Sequence, residues 1–114
     1  MRKILLLTVL TAGLAVGFVE DAWAYMMIGA GGASCGTWTK DRGSPQAHSL
    51  AAIDVSWVTG FLSGIGYVGG AESDDPLQGM DAEGVAGWID NYCRAHPIEH
   101  IKDAAAAFFA AHPR

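Results

Sequence analysis

The chain has 114 residues, room for one domain and no more. Half of it is apolar (51%), 17% is charged, and the formal net charge is −5. That acidic balance argues against nucleic acid and anionic membrane as partners, because both are bound through basic surfaces.

The N-terminus reads as a targeting segment. Arg2 and Lys3 precede an apolar run at residues 4–19, broken only by Thr8, Thr11, Gly13 and Gly17. Ala22-Trp23-Ala24 then offers small residues at the first and third positions, the pattern a signal peptidase cuts. Cleavage after Ala24 makes 1–24 a signal peptide. The other reading is a retained anchor, but the run is short of the ~20 residues that span a bilayer and has no basic stop signal. Tyr25 rather than a cysteine follows the cut, so a lipid anchor is not expected. An exported chain meets an oxidising compartment, where the pair Cys35 and Cys93 reads as a disulfide.

Residues 25–33 are glycine-rich and nearly uncharged, and are expected to be a flexible N-terminus to a helical domain at 34–114. Ser34 suits the cap of a short first helix over 35–42, anchored by Cys35 and Trp38 three apart. Ser44 as cap and Pro45 at the first helical position start a second helix. Its stripe is Leu50, Ile53, Trp57, Phe61 and Ile65, widened by Val58 and Leu62. Gly60 and Gly64, four apart, give it a smooth patch that another backbone could approach. This helix should end between 64 and 70, and a loop runs from there to Met80. Asp81 caps a third helix over 82–95 with the stripe Val85, Trp88, Ile89, Tyr92 beside Cys93. Pro97 stops it and opens a fourth over 97–111, with Ile98, Ile101, Ala105 and Phe108 on one face. No period-two segment bounded by hairpin turns occurs. The expected architecture is a compact all-α domain of four helices, its disulfide joining the first to the third.

Candidate chemistry is sparse. Gly64, Gly66 and Gly69 match a dinucleotide-binding spacing, but they follow a helix rather than a strand. Ser63 lacks the glycine two residues before it that a nucleophile elbow requires. His96, His100 and Asp103 have a metal-like spacing, yet His96 precedes Pro97 and falls outside the helix. Glu72, Asp74, Asp75, Asp81 and Glu83 cluster without the order of a calcium loop. No catalytic residues, metal or cofactor are therefore assigned, and the chain is read as a binder rather than an enzyme. Tyr67 and Val68, in the glycine-rich turn, join Gly60 and Gly64 as candidate partner contacts.

Two blocks carry a resemblance. The first is Trp57-Val58-Thr59-Gly60-Phe61-Leu62-Ser63-Gly64; the second runs from Val85 through Trp88-Ile89-Asp90-Asn91-Tyr92-Cys93 to His96-Pro97 and the alanine- and Phe-rich helix after it. Together they resemble the periplasmic immunity proteins of type VI secretion systems (the Rap/Tai type) and the HdeA-type acid-stress chaperones. The resemblance implies a periplasmic protein that binds another protein, an effector enzyme or an unfolding client, or forms a homodimer. It marks Trp57, Phe61, Trp88, Tyr92 and Pro97 as motif residues. The chain departs from the first family in having Arg114 after Pro113 where a further cysteine is common. It departs from the second in having only Lys40 and Lys102 as lysines after residue 24.

Overall fold

The computed structural model describes residues 26–69 and 75–112. The segment 1–24, expected to be a signal peptide, and Glu72 and Asp74 lie outside the described residues. Four helices run in order: α1 Cys35–Gly43, α2 His48–Gly69, α3 Ala82–Ala95 and α4 Ile101–Ala111. Single 3-10 turns at Ala30–Gly32 and Pro45–Ala47 precede α1 and α2. The described residues form no strand; their one β-bridge pairs Ser34 with His100.

Local chemistry sets the helix starts. The Ser34 hydroxyl accepts from the Thr37 amide at 3.1 Å and Asp81 accepts from the Gly84 amide at 2.7 Å, each satisfying a donor that a helix start leaves free. The fourth helix begins at Ile101 rather than Pro97, which corrects the expectation. Residues 97–100 are needed elsewhere: the carbonyls of Pro97 and Glu99 accept from the amides of Gly36 (3.0 Å) and Cys35 (2.7 Å), and Ile101 donates to Ala33 at 2.9 Å. This backbone strap holds the start of α4 beside the start of α1. Asp103 then caps α4 by accepting from the His100 amide at 2.9 Å. Ile98, expected on the buried face, lies on the strap and is 89% exposed.

The core is built from Trp38 of α1, Val58 and Leu62 of α2, Val85, Ala86 and Ile89 of α3, and Ile101, Ala104, Ala105 and Phe108 of α4, all fully buried or nearly so. Cys35 and Cys93 are bonded at its centre, with their Cα atoms 4.7 Å apart, and join α1 to α3 as expected. Beside the bond, Asp90 of α3 accepts from the buried Trp38 indole (2.7 Å) and from both Nε and Nη2 of Arg42 (3.0 and 2.8 Å). Trp88 packs edge-on against Phe108, with ring centroids 5.3 Å apart. Tyr92 stacks between Trp88 and His96, and its hydroxyl donates to Glu99 on the strap. That hydrogen bond, aided by burial, pushes the Tyr92 phenol up to about 12.

The buried face of α2 is not the expected stripe. Ala51, Asp54, Val58 and Leu62 point inward, whereas Leu50 and Ile53 are more than half exposed. Trp57 and Phe61 are half-buried and stack on each other at 5.3 Å. Trp57 donates to the Ile28 carbonyl at 2.9 Å and covers the Ala30–Gly32 turn, so this part of the segment expected to be flexible is packed down. A Cβ on the buried Gly31 would fall inside the Trp57 ring.

The bond between Cys35 and Cys93 closes a separation of 58 residues. A loop of that length makes the oxidised protein more stable by about 4 kcal/mol. Urea unfolding of the oxidised protein and the Cys35→Ser/Cys93→Ser double variant should differ by about that amount, a large share of the ~5–15 kcal/mol that holds a domain folded.

Candidate functional site

Two surface features stand out, and both involve α2. The first is an apolar groove of about 790 Å³ between α2 and α4. Gly60, Gly64 and Gly69 form its smooth parts, while Phe61, Ile65 and Val68 of α2 and Phe109 of α4 supply apolar side chains. A Cβ at Gly60 or Gly64 would meet nothing within 4 Å, so the patch faces open space rather than another part of the described fold. Val68 is 83% exposed, a large apolar side chain left in water. On the same helix the hydroxyls of Thr59 and Ser63 donate back to the carbonyls of Val55 (2.9 Å) and Thr59 (2.6 Å). Turned inward this way, they offer less polarity to the surface. Gly60, Gly64 and Val68 thus share one groove. Tyr67 is 88% exposed but lies outside it. Phe109, missed in the sequence, joins because α4 crosses α2 there; its neighbour Phe108 took the core position.

The second feature is a pair of buried carboxyls where α1 meets α2. Asp41 is 7% exposed and Asp54 is 6% exposed. The Oδ2 of Asp54 has no hydrogen-bond partner. Among the described residues no Lys, Arg or His makes an ion pair with either carboxyl, since the adjacent Arg42 is bonded to Asp90. Burial raises the Asp54 carboxyl to about 6, and the Asp41 charge and a hydrogen bond to Asp41 add to the effect. Two neighbouring carboxyls can share a hydrogen bond only when one holds a proton. Asp90 shows the opposite outcome: burial works to raise it, but its bonds to Arg42 and Trp38 hold it below its usual value. The signal for Asp54 was present in the spacing of residues 51, 54, 58 and 62, which places an acid on an apolar helix face.

The remaining polar candidates are occupied locally. Ser63 is back-bonded to its own helix. Asp75 accepts from the Leu77 amide at 2.9 Å and packs against Gly66, which leaves the space for it. His96 and His112 bond the carbonyls of Tyr92 (2.9 Å) and Phe108 (2.7 Å) on their own helices, and His112 also stacks on Phe108. No group of three metal-ligating side chains comes together among the described residues.

The fold defines an all-α, disulfide-linked four-helix domain with an open apolar groove. Comparison with protein-family models, curated proteins and solved structures finds no match.

Two expectations follow. Gly60→Ala and Gly64→Ala each enter open space on a helix and should raise stability by about 0.5–1 kcal/mol in thermal or urea unfolding, whereas Gly31→Ala should lower it. For Asp54 the folded value near 6 stands above the unfolded value near 3.8, so its protonated form favours the fold. Its contribution is complete below about pH 4 and is lost as pH rises through 6, a change of at most about 3 kcal/mol. Asp54→Asn should flatten the stability profile between pH 4 and 7 and raise stability at pH 7.

Proposed function

We propose that the protein is an exported, non-enzymatic binding module of the bacterial periplasm, whose α2–α4 groove receives a helix of a protein partner. It would act as an immunity protein does when it covers an effector enzyme. The observation that carries this reading is the groove itself: apolar side chains beside two glycines that no other described part of the fold covers. From Gly60 to Gly69 it runs about 13 Å along α2, two to three helical turns. Glycines four apart let a second helix backbone approach closely, and apolar residues on either side would bury its face. The segment Pro45–Gly69 is also long and apolar enough, by length and composition alone, to cross a membrane, and only 22% of its most apolar window is buried. Such a helix gains from an apolar cover, and a partner helix supplies one. The acid-stress chaperone reading is less favoured, because Asp54 strengthens the fold as pH falls through 6, where an acid-triggered opening needs the reverse.

The test compares tagged oxidised protein with its Gly64→Trp and Lys40→Ala variants, each recovered from the protein's own cells with whatever it binds. One protein partner held in equal amount by wild type and Lys40→Ala, and lost from Gly64→Trp, supports the reading once circular dichroism shows both variants folded. Retention by Gly64→Trp, recovery of a second copy alone, flotation with lipid vesicles, or recovery of no partner would overturn it.

A further inference from the structure

A second cleft, of about 460 Å³, opens between α1, the start of α2 and α3. It shares no lining residue with the apolar groove and stands apart from the reading above. Asp41 lines it and is nine-tenths buried, with no ion-pair partner among the described residues. Asp54 lies against Asp41 outside the lining of the cleft and adds a second buried carboxyl, whose Oδ2 has no hydrogen-bond partner. The charged and titratable groups around the pair are Arg42 from α1, His48 from α2 and Glu83 from α3. Among the described residues lining the cleft Arg42 is the one fixed cation, and Asp90 already holds its guanidinium through two hydrogen bonds. His48 is exposed, and Glu83 adds further negative charge. Two carboxyls out of water without a cation are costly, and either a proton or a bound cation relieves the cost. Proline and alkyl side chains, Pro45, Ala51 and Val55, line the same cleft.

We propose that this cleft is a binding site for an alkylammonium ion, whose charged head donates to Asp41 within the field of Asp54 and whose stem lies along Pro45, Ala51 and Val55. An ammonium carries its hydrogen-bond donors on a compact head, which suits one carboxylate in a cleft that mixes polar groups with a few alkyl side chains. A metal ion is a poorer occupant, since no third ligating side chain completes a set here. The two sources of this chemistry are a free amine and a lysine side chain on a polypeptide.

The experiment follows the carboxyl carbon resonances of Asp41 and Asp54 in the oxidised protein near pH 7.5 as n-butylammonium chloride is added, with sodium chloride at equal ionic strength as the comparison. Saturable shifts at both carboxyls with n-butylammonium and not with sodium are expected. Binding should weaken about tenfold near pH 5, where Asp54 takes up a proton. Asp41→Asn should abolish the shift at Asp54, and Glu83→Gln, an exposed change, should weaken binding severalfold with the fold intact. Nα-acetyl-lysine amide separates the sources: the same saturable shifts identify a lysine side chain, and shifts with n-butylammonium alone identify a free amine. No saturable shift, an equal shift with sodium, or unchanged binding in Asp41→Asn would overturn the proposal. None of these outcomes bears on the α2–α4 groove.

Discussion

The attachment of α1 to α3 is the constraint on which the other parts of this fold depend. At nine residues, α1 is too short to persist as an isolated helix. It is held by the bond between Cys35 and Cys93 and, one turn along, by Asp90 gathering the Trp38 indole and the Arg42 guanidinium. The same end of α1 is strapped to residues 97–101 by three backbone hydrogen bonds, which fix where α4 begins. Once α4 starts at Ile101, Phe108 falls into the core and Phe109 falls onto the rim of the groove. The other end of α1 brings Asp41 against α2. Both surface features are thus downstream of one covalent and one polar clamp.

The helix α2 departs from the usual pattern in both directions. It buries an acid, Asp54, on the side that faces the core, and it leaves Leu50, Ile53 and Val68 largely in water. Each departure costs stability, the first by desolvation and the second by apolar hydration. Local choices that conflict with the fold tend to mark places used for something other than folding. Here Val68 lines the apolar groove, and Asp54 lies against Asp41, which lines the second cleft. Arg42 sharpens the contrast. Bonded to Asp90 instead of its sequence neighbour Asp41, it steadies the α1–α3 contact, and among the described residues the α1–α2 carboxyls have no ion-pair partner.

The sequence alone determined the all-helical class, the caps at Ser34 and Asp81 and the cross-link, whereas the expected Ser44 cap is not formed and its hydroxyl pairs with Gln46 instead. Ser34 and Asp81 act locally on amides three residues ahead, and two cysteines have one pairing available between them, so no distant information was needed. Gly60 and Gly64 were legible as an unusual face for the same reason, since four-residue spacing on one helix is a local property; Val68, expected in a turn, instead continues that face in the last turn of α2. The tertiary structure decided what spacing leaves open. It chose the inward face of α2, because the stripe at Leu50 and Ile53 and the one at Ala51 and Asp54 differ by one residue, about 100° around the helix, and packing against α1 and α3 selects between them. It shortened α4, because the amides of Cys35 and Gly36 claimed carbonyls that the sequence pattern had placed inside a helix. It added Phe109 to the groove and set Asp41 beside Asp54, since both depend on residues far apart in the chain meeting in space. A helix cap is written within a few residues, whereas a groove or a carboxyl pair between two helices exists only after those helices have docked.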